Sequence, residues 1–209
     1  LSQLTKKKVV YNFRQNDLDN GGQGAPLTPI FHNAIANNLN KKFELEFPIN
    51  ILNIGGIANI TITSDWQSLW EINKIYAYDI GPGNCLIDEW MRKNSKKKYD
   101  KEGLVARSGK VDQLILNQAL ENFDLDSYYQ KSLDTKDFDI FFAKGLSLEN
   151  GASTITNFTA KLITDGINYA NSKIKLKNSK WLVCGGGRKN KYLLESIKHN
   201  FKKINLDPI

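Results

Sequence analysis

The sequence predicts an α/β domain, because short apolar segments typical of strands alternate with longer segments of helical periodicity. Two strand-like segments come early, ILNIGG (51–56) and ANITIT (58–63), and KIYAYDI (74–80) follows as a third. A fourth, WLVCGGG (181–187), comes near the end of the chain and runs into three glycines. Strands clustered early, then helices, then a strand, a glycine turn and a helix together favour a mixed α/β domain.

Five segments are predicted as helices from start signals and from recurring apolar residues. Thr28 and Pro29 make a good beginning, an N-cap residue followed by proline at the first helical position. Leu193, Ile197 and Phe201 recur at four-residue spacing, which is typical of a helix with one apolar face. The predicted helices are 29–42, 86–94, 111–123, 153–173 and 191–203.

Composition narrows the class of protein. The chain has 209 residues, 41% of them hydrophobic, which is enough for a real core. No run of about 18 apolar residues occurs, so we expect no membrane span. Two cysteines are too few for a disulfide framework, and we expect a protein of the reducing cytoplasm. The net charge of +7 comes from scattered lysines with few aromatic residues among them, so we expect no nucleic-acid partner.

Four glycine-rich turns stand out beside the predicted strands: GGQGAP (21–26), GG (55–56), GPGN (81–84) and CGGG (184–187). Each lies next to a strand, and bare glycine backbone beside a helix N-terminus can bind phosphate. The alternative is that each is an ordinary tight turn, and for LNIGGIANIT a simple hairpin is that alternative. Four such turns in one domain favour an extended polyanion such as a nucleoside triphosphate.

The familiar nucleotide motifs are absent. No GxxxxGK[ST] occurs, and CGGGRKN lacks the GxGxxG spacing of a dinucleotide site. The remaining large class that binds ATP between two lobes through paired glycine turns is the actin-like sugar-kinase and ATPase fold. A short strand at Val9–Phe13 and a polar loop at 14–26 are predicted to precede this part of the chain.

Five motifs in order resemble one family along essentially the whole chain: GGQGAPLTPIFH, ILNIGGIANIT, YDIGPGNCLIDEW, KSLD (131–134) and LVCGGGRKN. Together they resemble anhydro-N-acetylmuramic acid kinase, a bacterial enzyme of peptidoglycan recycling. The resemblance implies an actin-like ATPase (ribonuclease H-like) fold. It also implies ATP-dependent phosphorylation of 1,6-anhydro-N-acetylmuramic acid, with the anhydro ring opened by water to give N-acetylmuramic acid 6-phosphate.

The resemblance assigns roles residue by residue. In it IGGIAN is the second phosphate-binding turn and LVCGGGRKN is the adenosine segment. The implied ATP-binding residues are Gly55, Gly56, Asn59, Gly185, Gly186 and Gly187. The implied substrate-binding residues are Gly22, Gln23, Gly24, Asp79, Gly81, Gly83 and Asn84.

The reaction needs a base that activates water at the anomeric carbon. The family pattern resembles DFRxxDxxxGGQGAP, and Asp17 falls on its second Asp, which we interpret as the catalytic base. An Asx-turn or helix-capping carboxylate is the structural alternative. Asn12 stands where the first Asp is usual, which leaves the role of that position open.

The sequence also departs from the family. The N-terminal lobe with its GTSxDG-type first phosphate turn is absent, and no initiator Met is present, so we expect a piece of a longer protein. We assign 1–35 to the end of the first lobe and 36–209 to the nucleotide-binding second lobe. Mg²⁺ is expected to be held largely by the missing lobe, with no metal ligand assigned in this chain, and a homodimer stays open. Another sugar kinase or phosphatase of this fold, and a non-catalytic nucleotide-binding module, are the alternatives.

Overall fold

A computed structural model of the chain describes residues 1–22, 24–63, 75–123, 132–174, 181–201 and 206–208. These residues form eight α-helices and five strands, with short 3-10 turns between some of them. The helices are α1 (Ser2–Thr5), α2 (Phe13–Asp19), α3 (Pro29–Phe43), α4 (Cys85–Asn94), α5 (Leu104–Ser108), α6 (Gln113–Glu121), α7 (Leu148–Ile174) and α8 (Lys191–Asn200). The strands are β1 (Asn50–Ile54), β2 (Ile57–Ile62), β3 (Tyr76–Pro82), β4 (Trp181–Cys184) and β5 (Leu206–Pro208).

The five strands form one mixed sheet in the order β3-β2-β1-β4-β5. The first three strands of the chain pair antiparallel, with Leu52 opposite Ile60 and Ile60 opposite Tyr78. Strand β4 then lies parallel to β1, and β5 lies parallel to β4. This order and these directions are those of a ribonuclease H-like sheet, so the α/β class and the predicted fold are confirmed.

The two faces of the sheet bury different cores. On one face, residues such as Leu52, Ile60 and Val183 pack with α4 and α7 into the main core. The long helix α7 approaches this face closely, since a Cβ added at Gly166 would lie 2.5 Å from the Cβ of Ile80. On the other face a smaller cluster packs α3 onto β1 and β4: Ala36, Ile49, Ile51 and Leu182.

Most predicted elements are confirmed, and one region is wrong. Val9–Phe13 forms no strand, and Phe13 instead begins α2, which occupies part of the predicted polar loop 14–26. Helix α7 begins at Leu148, five residues before the predicted start. The predicted boundary between 35 and 36 falls inside the continuous helix α3, so the division into lobes stays a prediction. No helix in the described part of the chain is long and apolar enough to cross a membrane.

Candidate functional site

Three of the predicted glycine turns meet at one end of the sheet. Gly55 and Gly56 connect β1 to β2, and the loop that follows β3 is bonded directly to them. The N–H of Gly83 donates to the carbonyl of Gly56 over 2.8 Å, and the N–H of Asn84 donates to the carbonyl of Gly55 over 2.7 Å. The Asn84 side chain adds a hydrogen bond from Nδ2 to the Gly55 carbonyl at 3.2 Å. The third turn, 185–187, follows β4 beside β1.

Close packing between backbones explains several glycines in these turns. A Cβ added at Gly83 would lie 2.3 Å from the Gly55 carbonyl oxygen, and one at Gly185 would lie 2.5 Å from that of Ile54. Gly185 also has a φ of +81°, in the left-handed region that favours glycine. A Cβ added at Gly187 would likewise overlap the Ile54 side chain. Since real Cβ atoms need more room than this, the fold alone requires these three glycines.

Gly56 and Gly186 are different, because the fold does not require glycine at either position. Among the described residues, the atom nearest to a Cβ added at Gly56 is Cγ2 of Thr135, at 3.6 Å. For Gly186 it is Nδ2 of Asn84, at 3.9 Å. Neither glycine has a left-handed φ, and both are exposed. LNIGGIANIT is therefore a hairpin, and its turn also presents open backbone, so the two interpretations of the sequence are compatible.

Within the described residues, the N–H of Gly56 donates to no acceptor, while its carbonyl accepts from Gly83 and Cys85. An exposed donor without a partner, held in a turn that is hydrogen-bonded on its other side, is a suitable contact for an anion.

A row of polar side chains crosses the sheet close to the glycine turns, with one residue on each of the strands β3, β2, β1 and β4. Asp79 on β3 lies opposite Asn59 on β2, Asn59 lies opposite Asn53 on β1, and Asn53 lies beside Cys184 on β4. Residues directly opposite each other project from the same face, so these four form a continuous strip. The Cys184 thiol donates to Oδ1 of Asn53 over 3.6 Å. Sequence reasoning found Asp79 and Asn59 and missed Asn53, although its period-two spacing from Ile51 pointed to this face.

Asp79 is the most buried member of this row, at 5% exposure. Its Oδ2 accepts hydrogen bonds from the N–H of Leu133, at 2.9 Å, and from the hydroxyl of Ser132, at 3.5 Å. Burial raises the pKa of Asp79, and the two hydrogen bonds and the charge of Arg14 oppose that rise. The KSLD motif therefore reaches the site through Ser132 and Leu133, while its Lys131 lies outside the described residues.

The predicted catalytic base, Asp17, sits in α2 with its carboxylate folded against the GGQGAP loop. Its Oδ2 accepts from the N–H of Gly24 over 2.7 Å, and a Cβ at Gly22 would lie 2.1 Å from that same oxygen. In the described part of the chain, no donor reaches Oδ1. Oδ2 of Asp17 thus orders the loop, as the alternative of an Asx-turn or capping carboxylate predicts. Oδ1 has a free lone pair for another hydrogen bond. Gln23, which was predicted to bind substrate, lies outside the described residues.

Arg14 connects the helix of Asp17 to the sheet. Its guanidinium donates to the carbonyl of Gly24, and its charge acts on the pKa of Asp79. The loop of Asp17 therefore lies on the same side of the molecule as the polar row. Gly81 does not join them: its φ of +141° lies in the region that favours glycine, and a Cβ there would lie 3.3 Å from Leu162 of α7. Backbone conformation therefore explains this glycine, and its substrate role stays a prediction.

A pocket of about 280 Å³ opens beside Gly186. Asn84, Tyr99 and Lys189 contribute to its wall, together with the carboxylates of Asp88 and Glu102. Burial raises the pKa of Asp88, against the opposing charge of Arg92. Asp88 is half-buried, and none of the described residues donates a hydrogen bond to its side chain. The pocket is thus polar and carries acceptors suited to hydroxyl or amine groups.

Helix α3 packs on the same face of the sheet as the polar row and makes a buried polar contact with β2. Nδ1 of His32 lies 2.8 Å from Oγ1 of Thr61, and both residues are buried. Burial lowers the pKa of His32. Among the described residues, no group of three or more His, Cys, Asp or Glu is arranged to hold a metal ion.

Comparisons with known proteins identify the family of the chain. A family model described as anhydro-N-acetylmuramic acid kinase matches residues 1–209. The anhydro-N-acetylmuramic acid kinase of Pelagibacter ubique is 50% identical over 204 residues, which are 97% of this chain and 52% of that protein. The protein of the same name from Zymomonas mobilis is 37% identical over 209 residues, 100% of this chain and 53% of its own length.

A solved structure, the activator of the 2-hydroxyisocaproyl-CoA dehydratase from Clostridium difficile with bound ADPNP, aligns at a TM-score of 0.47 and 11% identity. The alignment covers 84% of this chain and 59% of that one. A likeness at this level carries no weight for the site. The chain spans about half the length of the curated relatives it matches. The family-model match extends over the whole sequence, and the chain belongs to the anhydro-N-acetylmuramic acid kinase family.

Proposed function

We propose that this chain is the nucleotide-binding half of an ATP-dependent kinase that phosphorylates 1,6-anhydro-N-acetylmuramic acid and opens its anhydro ring with water. The product is N-acetylmuramic acid 6-phosphate, and the role is peptidoglycan recycling in the cytoplasm, where ATP is available. The observation that carries the proposal is that three glycine turns meet at one end of the sheet. At two positions there, Gly56 and Gly186, the packing leaves room for a side chain although none is present.

The charges around the site suggest how ATP lies in it. The pocket beside Gly186 contains the carboxylate of Asp88, which would repel phosphates and accept hydrogen bonds from ribose hydroxyls or a base amine. The carboxylate of Glu102, on the same wall, is paired with Lys191 at 2.7 Å. The nucleoside end therefore belongs in that pocket. The phosphates then extend toward Gly56, where the free N–H and the absence of a side chain allow close approach. Asn59 and Asn53, on the polar row behind the turn, offer side-chain amides to the same region.

Asp17 supplies the base in this proposal. The hydrogen bond from Gly24 to Oδ2 fixes the orientation of the carboxylate, and Oδ1 is left to take a proton from water. The water oxygen bonds to the anomeric carbon and the bond from that carbon to O6 breaks. O6 then bonds to the γ-phosphorus of ATP, the bond from that phosphorus to the bridging oxygen breaks, and ADP leaves. Asp79 and the loop of Gly22 and Gly24 lie on the side of the site where the sugar would bind, with Arg14 between them.

Phosphoryl transfer depends mainly on positioning, and this chain supplies only part of the clamp. It contains the second phosphate turn, the nucleoside pocket and the base. Mg²⁺ neutralises phosphate charge when it is bound with ATP, and in this proposal residues outside the chain hold it. The family's first phosphate turn completes the clamp from the half that this chain lacks.

The test is a coupled assay of ADP release with 1,6-anhydro-N-acetylmuramic acid. It compares the chain alone with an extended protein, in which the chain is joined to the part of the Pelagibacter ubique relative that the match leaves out. We expect no turnover by the chain and turnover by the extended protein. Turnover only with other sugars would favour a different kinase of this fold, and ATP binding without turnover on any sugar would favour a binding module. Robust turnover by the chain alone would overturn the proposed division of the site.

A further inference from the structure

A short segment, residues 132–137, approaches the Gly56 turn from a distant part of the sequence. Apart from the residues adjacent to Gly56 in the chain, the nearest described atom to a Cβ added there is Cγ2 of Thr135, at 3.6 Å. Thr135 is exposed, so its side chain borders solvent as well as the turn. The open space beside Gly56 therefore has the Thr135 side chain at its edge.

Hydrogen bonds attach the beginning of this segment to the sheet. The N–H of Leu133 donates to Oδ2 of Asp79 over 2.9 Å, and the Ser132 hydroxyl lies 3.5 Å from the same oxygen. Asp79 belongs to β3, and both Asp79 and Leu133 are buried. The segment is thus anchored on the strand that leads into the loop bonded to Gly56.

A capping box fixes the rest of the segment. The Asp134 side chain accepts from the N–H of Lys136 over 3.0 Å, and the Asp137 side chain accepts from the N–H of Asp134 over 2.8 Å. Such a reciprocal pair satisfies two backbone donors at once and sets the direction of the chain. Thr135 is enclosed by this box, so its backbone is held from both sides.

The Thr135 hydroxyl is only weakly engaged within the protein. Its Oγ1 lies 3.4 Å from Oδ1 of Asp134. Good hydrogen bonds between oxygens measure about 2.5–3.0 Å, so this contact is weak. A hydroxyl proton rotates to suit its partner. Because Oγ1 and Cγ2 of Thr135 share one Cβ, this donor lies close to the open space at Gly56.

We propose that Thr135 is a further phosphate-contacting residue, whose hydroxyl donates to a phosphate oxygen of the nucleotide held at the N–H of Gly56. Asp79 and Asp134 act as positioning residues, since they hold the segment that carries Thr135. The inference rests on the proposed function, because it requires phosphates beside Gly56. Two donors from distant parts of the sequence then contact one anion.

The carboxylates near Thr135 differ from the one in the nucleoside pocket. Asp134 and Asp137 each accept an N–H of their own turn, and both are exposed, where solvent and salt screen their charge. The exposed Lys136 adds a positive charge to the same turn. Asp88 is half-buried, and none of the described residues donates a hydrogen bond to its side chain. Repulsion of phosphate is therefore weaker at Thr135 than at Asp88.

The first experiment compares Thr135→Val with Thr135→Ser in the extended protein. Valine keeps the methyl group and removes the hydroxyl, whereas serine keeps the hydroxyl and removes the methyl group. Two probes are titrated, a fluorescent ATP analogue and adenosine with the same fluorophore. Thr135→Val should weaken the ATP analogue by about threefold to tenfold, as for the loss of one hydrogen bond. Thr135→Ser should stay within about twofold of wild type, and adenosine should bind all three proteins alike.

The alternative role for Thr135 is packing of its methyl group on the turn, and it predicts the reverse order. Weaker binding by Thr135→Ser than by Thr135→Val would overturn the proposal, and so would wild-type affinity in Thr135→Val. Equal losses for the ATP analogue and adenosine would also overturn it, since the contact would not be with phosphate. If the wild-type protein binds no ATP analogue, the proposed function itself is wrong and this inference is wrong with it.

The second experiment tests the positioning role with Asp134→Asn and Asp134→Ala. Both substitutions remove the same charge, but asparagine keeps an oxygen that can accept from the N–H of Lys136 and alanine does not. Affinity for the ATP analogue should be severalfold lower in Asp134→Ala than in Asp134→Asn, while adenosine affinity is the same in both. Equal affinity of the two variants for the ATP analogue would rule out positioning by Asp134.

Discussion

Substitutions at two glycines of the same site should separate ligand binding from folding. Gly56 and Gly83 are hydrogen-bonded to each other, yet their surroundings differ. A Cβ at Gly56 would have its nearest described neighbour at 3.6 Å, whereas a Cβ at Gly83 would lie 2.3 Å from a carbonyl oxygen. We therefore predict that Gly56→Val weakens ATP binding and leaves the fold intact. Gly83→Ala, although the smaller change, should damage the fold itself.

The size of the Gly83→Ala effect follows from two contributions. Forcing a methyl group into a packed contact costs about 1–3 kcal/mol. The hydrogen bonds from Gly83 and Asn84 to the hairpin carbonyls would be disturbed, at about 0.5–1.5 kcal/mol each. The total is roughly 2–6 kcal/mol, a large part of the stability of a domain. For a chain of this length that corresponds to a fall in melting temperature of roughly 5–20 °C.

The assay is thermal unfolding followed by titration of a fluorescent ATP analogue into the folded extended protein. For Gly56→Val we expect the change in free energy of unfolding to stay within about 0.5 kcal/mol, as for an open surface site. Affinity for the analogue should fall by at least about tenfold, which is 1.4 kcal/mol. Unchanged affinity in a folded Gly56→Val protein would refute the argument that open space at Gly56 exists for phosphate. A Gly83→Ala protein of normal stability would refute the close-packing argument.

Three further predictions concern titratable groups. In the extended protein, Asp17→Asn should reduce turnover by about 10²–10⁴ while nucleotide affinity is retained, and turnover within a few-fold of wild type would rule out Asp17 as the base. Burial raises the folded-state pKa of Asp79, so its ionised form costs stability at neutral pH and that cost disappears as the pH falls. Asp79→Asn should therefore melt higher than wild type at neutral pH, with an advantage that shrinks toward about pH 4, and an equal or lower melting temperature at neutral pH would contradict this. Burial lowers the folded-state pKa of His32, so its contribution is present above the unfolded value of about 6.5 and is lost as the pH falls. Between pH 7.5 and 5, wild type should lose more stability than His32→Gln, and parallel curves would argue against this assignment.

The strands and most helices could be predicted from sequence because their signals are local. β1, β2 and β4 begin and end near the predicted boundaries, and the apolar spacing in 191–203 indicated α8 correctly. Residues 9–19 could not be predicted in this way. Val9, Val10 and Phe13 suggest a strand by propensity, but no strand edge lies beside them, and α2 forms without burying any residue. For a segment with no buried residue, propensity is the only local signal, and it is a weak one.

The glycines illustrate a second limit. Sequence alone could count four glycine-rich turns, and it predicted ligand roles for nearly all their glycines. The structure divides them by what an added Cβ would meet, which depends on chain segments far apart in sequence. Gly83 is required by a backbone some thirty residues earlier, and Gly187 is required by Ile54. Asn53 was missed for the same reason, since its place in the polar row exists only once β1 pairs with β2 and β4.

Because side chains alternate along a strand, the core residues and the polar residues of the candidate site lie on opposite faces of the same sheet. Ile54 and Asn53 are neighbours in sequence, yet Ile54 lies in the main core and Asn53 lies in the polar row. Because the side-chain period of a strand is two, a one-residue shift of β1 would exchange the two sets. The Gly55–Gly56 turn prevents such a shift, since its carbonyls are bonded to Gly83 and Asn84. The turn that has open space beside Gly56 therefore also holds the register that keeps Asn53, Asn59 and Asp79 on a single face.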